Sequence, residues 1–230
     1  MKSILPTLSL LLVLCGLPTL ARAAEPVSQQ HALPGVRRVV IETPGELRVH
    51  PGKEARLTIE AEPDVLRALD VSIRGNTLFL RSKENFKTQR GLVYVVTLPR
   101  LDALTSQGGG DVTVGAFQGE ELAIELAGSG NIALAGVKTG RLDLKVSGSG
   151  NIDARGSGDA LYAEISGAGE IRAENCAVRH AQAKIGGSGE IRLTARERLA
   201  ATIDGAGNIR YGGAPTVTQS ISGAGSVDPL

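Results

Sequence analysis

The chain has 230 residues, and its 25 Lys plus Arg against 24 Asp plus Glu exclude the basic face that a nucleic-acid partner demands. Aromatic residues make up only 3% and tryptophan is absent, so stacking platforms for nucleic-acid bases or sugar rings are scarce. The 30 glycines do not make a flexible linker, because they recur periodically among Ile, Leu and Val.

In chain order, residues 1–23 read as a secretory signal. Lys2 supplies the charged start, Leu8 to Leu14 an apolar core too short to span a bilayer, and Ala21-Arg22-Ala23 a small-residue cleavage site. Leu14 rather than a small residue precedes Cys15, which speaks against lipidation. The mature chain is therefore expected to be exported, to the periplasm or the cell surface, with no transmembrane segment. Cys176 is then its only cysteine, so no internal disulfide can form, and the thiol is expected to be buried as a small hydrophobe.

Residues 24–35 read as an N-terminal linker and 36–230 as one all-β domain. Short apolar runs follow at Val39–Ile41, Leu47–Val49, Leu57–Ile59, Val71–Ile73, Leu78–Leu80 and Leu92–Leu98. Pro44-Gly45, Pro51-Gly52, Gly75-Asn76 and Pro99 punctuate them, which makes them strands. Only Pro63 to Leu69 predicts a helical turn. The unbroken strand rhythm predicts degenerate early coils of the architecture that follows, with a separate β domain joined near Leu101 as the alternative.

From about residue 101 to 228 one turn is written seven times. It appears as Gly108-Gly-Gly-Asp111, Gly128-Ser-Gly130-Asn131, Gly148-Ser-Gly150-Asn151, Gly167-Ala-Gly169-Glu170, Gly187-Ser-Gly189-Glu190, Gly205-Ala-Gly207-Asn208 and Gly223-Ala-Gly225-Ser226. The first glycines of successive blocks lie about 18–20 residues apart, the period of a solenoid in which each coil stacks on its neighbours. Apolar residues alternate on both sides of the turn. Leu126, Val146, Ile165, Ile185, Ile203 and Ile221 stand two residues before it, and Val112, Ile132, Ile152, Ile171, Ile191, Ile209 and Val227 stand four after its first glycine. This pattern predicts two short strands per coil, each with one buried face, in a single-stranded β-helix.

Two reasons favour glycine at the corner: a tight bend that needs positive φ, and close approach of stacked backbones. Outside, Glu125, Lys145, Glu164 and Lys184 alternate in sign from coil to coil, which predicts a charge ladder that disfavours a one-coil slip.

Chemical constellations are scarce. No Gly-x-Gly block continues to the third glycine of a dinucleotide fingerprint, since positions 133, 153 and 172 are Ala, Asp and Arg. Asp111, Glu170 and Glu190 lack the regular aspartate of a calcium β-roll. His31, His50 and His180 have no metal-ligand spacing, and no Gly-x-Ser-x-Gly elbow occurs. Neither a metal nor a cofactor is expected, and no catalytic residue is assigned. The one candidate binding patch is the stack Arg172, Arg192, Arg210 beside Glu170 and Glu190, suited to an anionic surface group rather than to catalysis.

The repeated Gly-Ser/Ala-Gly-Asn/Glu turns, together with Val36–Val49, Leu57-Thr-Ile59, Asn76-Thr-Leu78 and Leu98-Pro99, resemble the auto-transporter adhesin head GIN domain family, a domain of unknown function. The resemblance covers about Val36 to Val227. It implies a β-helix related in shape to pectate-lyase-like solenoids and a role in cell adhesion, and it brings no catalytic or ligand residues. Three readings follow: a non-enzymatic surface module binding a protein or glycan, a polysaccharide-active β-helix enzyme, or a periplasmic scaffold that assembles end to end as a homo-oligomer.

Overall fold

The computed structural model describes residues 25–230, so the expected export signal lies outside them. The fold is nearly all β, a solenoid of about six turns. The regular part runs through β10 (Gln118–Leu126), β11 (Asn131–Val146), β12 (Asn151–Ile165), β13 (Glu170–Ile185), β14 (Glu190–Ile203), β15 (Asn208–Gly212), β16 (Thr216–Ile221) and β17 (Ser226–Pro229). From β10 to β14 each strand lies parallel on the next, β15 and β16 both lie parallel on β14, and β17 lies on β15, so like residues meet: Ile132 on Ile152, Ile152 on Ile171, Ile171 on Ile191, Ile191 on Ile209. These isoleucines are at most 1% exposed, and the matching column Leu122, Leu142, Leu161, Ala181, Leu199 is buried too. Fully burying one such Leu or Ile contributes about 1.5–3 kcal/mol, so each coil adds a small core to the one below it.

The strands are longer than two per coil would make them. In β11 the alternation that buries Ile132 and Leu134 slips at 135–136, buries Val137 and Thr139, then slips again at 140–141 before Leu142 and Leu144. Two phase changes in one strand mark two further bends, so each coil has a third, short stretch that the turn-centred pattern does not reveal. All differences in coil length are absorbed there. The β11–β12 offset falls from 20 residues at Ala135–Arg155 to 19 at Val137–Gly156, and the β13–β14 offset from 20 at Ala173–Leu193 to 17 at Ala177–Thr194. The stretches flanking the Gly-x-Gly turn keep their register throughout.

The reason for the glycines also differs from the bend argument. None of the paired glycines of the repeated turn has positive φ; Gly136 and Gly156, on the third stretch, do. What the turns require is room. A Cβ on Gly150 would lie 1.9 Å from the carbonyl oxygen of Gly130, and one on Gly167 2.0 Å from that of Gly148. The same clash recurs at Gly128, Gly130, Gly148, Gly169, Gly187, Gly189, Gly205, Gly207, Gly223 and Gly225. Turn stacks on turn with backbone in contact, and the central residue of each turn faces solvent.

The first half joins the same stack in a different chain order. β2 (Arg38–Ile41) lies parallel between β6 (Thr77–Ser82) and β8 (Ala103–Ser106), and β3 (Glu46–Pro51) lies parallel between β7 (Val93–Leu98) and β9 (Val112–Val114). The coil formed by residues 38–51 is thus covered by the later coil 77–98, and the chain then steps back across it to 103–114. Strands β4 (Arg56–Ala61) and β5 (Leu69–Arg74) close the outer edges of β7 and β6 antiparallel. Within the stretch read as a linker, β1 (Val27–Ala32) pairs antiparallel with β4. β1 buries no side chain, which is why no apolar alternation announces it.

Helix α1 (Pro63–Ala68) forms where the proline suggests it, with Asp64 in the first turn, Arg67 in the last, and Val65 and Ala68 buried. Before it, Glu62 accepts hydrogen bonds from Thr88 Oγ1 at 2.7 Å and from the backbone N–H groups of Gln89 and Arg90 at 2.9 and 3.0 Å. Those donors, Thr88 first, pull its carboxyl from 4.5 down to about 2.

Two outcomes follow from these contacts. Gly150→Ala should cost roughly 3 kcal/mol, lowering Tm by about 6–12 °C in a thermal melt, whereas Ser149→Ala at the exposed centre of the same turn should stay within about 0.5 kcal/mol. Because its folded pKa is depressed, the Glu62 carboxylate stabilises the fold above pH about 4.5 and loses that effect as pH falls to about 2. The Tm gap between wild type and Glu62→Gln should therefore be widest at neutral pH and close across that interval.

Candidate functional site

The outer surface follows from the inner register. Once the isoleucines stack, their outward neighbours stack as well. Along the corner, Asp111 Oδ1 accepts from Asn131 Nδ2 at 2.9 Å, Asn131 Oδ1 accepts from Asn151 Nδ2 at 3.1 Å, and Asn208 Oδ1 accepts from the Ser226 hydroxyl at 3.2 Å. This column is a polar ladder whose members satisfy one another.

Between the amides the column carries Glu170 and Glu190, and beside them Arg172, Arg192 and Arg210 stand in register on β13, β14 and β15. Arg172 Nη2 donates to Glu170 Oε2 at 2.8 Å and Arg192 Nε to Glu190 Oε1 at 3.0 Å. Diagonal pairs join the coils, Arg192 to Glu170 at 3.6 Å and Arg210 to Glu190 at 3.4 Å. The hydrogen bond from Arg172 holds the Glu170 carboxyl below its usual range against partial burial, with the charges of Arg172 and Arg192 adding to it. The structure thus brings the expected arginine stack together and interleaves it with carboxylates. The other expected ladder closes at a single step: Lys145 reaches Glu164 at 3.5 Å, while Glu125 and Lys184 form no ion pair among the described residues.

A second feature lies on a different stretch of the coil. A groove of about 440 Å³ crosses β11, β12, β13, β14 and β16. One wall is the register column Arg141, Ala160, His180, Arg198, Thr216; the other includes Tyr162, Gln182, Ala200 and Thr218. Between the walls runs the backbone of Leu161, Ala181 and Leu199, whose side chains turn inward to the core. Arg141 Nε donates to Asp143 Oδ1 at 2.8 Å, and His180 Nε2 lies 3.7 Å from Glu197, whose carboxylate accepts from Arg179 Nε at 2.8 Å. Arg198 has no carboxylate within ion-pair distance among the described residues. Sequence reasoning missed this groove, although the signal was present: the positions seven and five residues before each turn glycine align its two walls.

The remaining reactive groups are withdrawn. Cys176 is 1% exposed and burial pushes its thiol up to about 11, which disfavours the thiolate. Of the other histidines, His31 sits on β1 and His50 on β3, away from the groove. Among the described residues no cluster of three His, Cys, Asp or Glu could hold a metal ion, and no helix is long and apolar enough to cross a membrane.

A family model described as "Putative auto-transporter adhesin, head GIN domain" matches residues 37–215. Among solved structures, a "putative adhesin" from Bacteroides fragilis superposes with a TM-score of 0.85 at 24% identity, covering 90% of this chain and 97% of that one. A "putative adhesin" from Parabacteroides merdae gives a TM-score of 0.72 at 20% identity over 90% and 96% of the two chains. A "putative lipid binding protein" from Parabacteroides distasonis gives 0.70 at 23% identity over 90% and 97%. At these identities the likeness to the solved structures is one of fold. Comparison with curated protein sequences gives no match.

Removing the arginine that dominates the Glu170 environment should be visible directly. In Arg172→Gln the Glu170 carboxyl should titrate closer to its ordinary 4.5, as read by NMR of its side-chain carbon. The global stability loss should be only about 0.2–1 kcal/mol, because the pair is half exposed and screened by solvent.

Proposed function

The chain belongs to the auto-transporter adhesin head GIN domain family, and on that premise we propose that it is an exported, non-enzymatic β-solenoid that binds a protein or glycan at the cell surface. The observation that carries this reading is the in-register exterior, on which the Asp111–Asn131–Asn151 amide ladder and the Glu170–Arg172–Glu190–Arg192–Arg210 stack repeat donors and acceptors at each coil step. Coil steps are about 4.8 Å, so an extended partner meets the same chemistry several times over. Arg172, Arg192 and Arg210 are the contact residues of this reading, with their guanidinium N–H groups facing anionic groups of the partner. The charged start, short apolar run and Ala21-Arg22-Ala23 of residues 1–23 support export.

End-to-end assembly of copies is favoured by one observation. In the final coil Val217 and Val227 are only half-buried and Ile221 is 40% exposed, whereas Leu199, Ile209 and Ile203, on which they lie, are buried. An open apolar coil end is a template for another strand layer.

Treating intact cells with a non-penetrating protease, and following the mature protein with an antibody, separates the two. Digestion in whole cells is the expected result. Protection until the outer envelope is opened would remove the surface module and leave the internal scaffold.

A further inference from the structure

β16 lies parallel on β14 and has no second partner strand among the described residues. Ser222 donates its backbone N–H to Ile203 O at 2.9 Å. Successive residues of a strand turn their backbone groups to opposite edges, so Thr216, Thr218 and Ser220 face β14 as Ser222 does. Val217, Gln219 and Ile221 therefore turn both N–H and C=O to the free edge.

The side chains of this edge have the same order in both directions. Residues 216–222 are Thr-Val-Thr-Gln-Ser-Ile-Ser, so a hydroxyl, an apolar residue and a hydroxyl follow on each side of Gln219. Val217, Gln219 and Ile221 continue the inward columns over Leu199, Ala201 and Ile203. Gln219 departs from its column, which carries the buried Ile124, Leu144, Ala163, Ala183 and Ala201 in the coils before it. Gln219 is exposed, and its amide has no hydrogen-bond partner among the described residues.

A second β16, laid antiparallel on this edge with Gln219 opposite its own copy, matches side chains and backbone at once. Val217 then meets Ile221 of the partner subunit, and Thr218 meets Ser220 of the partner subunit. The pairs made by 217, 219 and 221 are the ones that exchange both backbone hydrogen bonds, about six bonds in all. The two Gln219 amides face each other and can bond. Moving the dyad to Thr218 or Ser220 would instead set Gln219 against Val217 or Ile221.

The other open edges lack this match. On β17, Leu230 N–H donates to Tyr211 O at 2.9 Å, which turns the Pro229 nitrogen, bare of hydrogen, to the free edge beside the charge of Asp228. At the opposite end β5 carries Asp70 and Arg74, and β1 reversed on itself sets Val27 against His31. Charge and proline are the usual protection of an open edge, and β16 has neither.

We propose, resting on the end-to-end reading of the open coil, that two copies of this chain join through β16 as an isologous dimer. Its dyad passes between the paired Gln219 residues, and the two solenoids extend from it in opposite directions. Such a contact closes at two copies, whereas β16 seated on the opposite end of the next copy would grow a filament.

Sedimentation equilibrium of the mature protein, from micromolar to submillimolar concentration, should give twice the mass of one chain. Gln219→Glu and Gln219→Lys each set like charges against each other at the dyad and should each weaken dimerisation at least about tenfold, with a wild-type circular-dichroism spectrum. Mixed in equal amounts, the two variants should restore the dimer, because each introduced charge then faces its opposite. A head-to-tail contact gives no such rescue, since residue 219 never meets its own copy there. Gln219→Pro deletes the N–H at the dyad, spares the bonds to β14 and should also dissociate the dimer, which covers the case of a charge at 219 melting the coil. A single-chain mass throughout overturns the proposal together with the end-to-end reading. Mass that grows past two chains overturns the dyad alone and leaves end-to-end growth. A dimer that ignores all three variants, or a folded mixture of the two charge variants that stays monomeric, overturns it too. None of these results bears on protease access in intact cells, so the surface reading fails or holds separately.

Discussion

The contact on which the structure depends is backbone against backbone at the corner. Where Gly150 sits over Gly130 and Gly187 over Gly167, the space for a Cβ is already filled by a carbonyl oxygen about 2 Å away. Such a corner admits one residue type and one register, because a slip of the chain by a single position would bring Ser149 or Asn151 into that space. The strands leaving the corner on both sides inherit its register, and the buried isoleucine columns are the consequence as much as the cause. The same stacking reaches into the irregular half, where Gly110 lies on the carbonyl of Gly45 and Gly108 on that of Thr43. A corner of this kind is therefore what unites coils whose chain order is otherwise scrambled.

Tolerance lies on the far side of the coil. The third stretch holds Val137 and Thr139 in one layer, Gly156 and Gly158 in the next, Cys176 and Val178 in the next, and Ala195 above them. Its residues change in size and number, and its register shifts absorb coils of different length. A coil can lose or gain a residue there without moving the corner. The groove opens at the border of this stretch, where side-chain volume is free to differ between layers. The stable part of the repeat and the part able to acquire a site are thus separated within each coil.

The solenoid was legible because its strongest constraint acts on residue identity: glycine at fixed spacing with Ile or Val four residues later. The physical reason was legible only in half, since close approach requires these glycines and positive φ does not. The third stretch was not, because Arg155-Gly-Ser-Gly-Asp159 and Thr194-Ala-Arg-Glu-Arg198 share neither pattern nor length. The step from β7 back across β2 and β3 leaves no local trace, because short parallel strands look alike whatever layer they occupy. β1 was hidden for another reason, as its pairing is backbone alone. The arginine stack could be aligned from the repeat, but its hydrogen bonds to Glu170 and Glu190 depend on side-chain reach. The groove follows from what alanine omits at 160 and 200, and an omission reads as nothing until its neighbours surround it.

The two surfaces also differ in what they can contribute to recognition. In the arginine–glutamate stack each guanidinium already has a carboxylate at 2.8–3.4 Å, so a partner must exchange one ion pair for another. Half-exposed pairs of this kind are worth about 0.2–1 kcal/mol, and exchanging them yields little net affinity per contact. Repetition along the ladder can still select an extended partner whose charges share the coil spacing, which is a matter of geometry more than of strength. The groove is lined differently: His180, Arg198, Tyr162, Gln182, Thr216 and Thr218 stand beside the small Ala160 and Ala200. The fold that makes the ladder regular is also what makes a missing side chain into a cavity, since neighbouring layers pinned at the corner cannot move in to fill it.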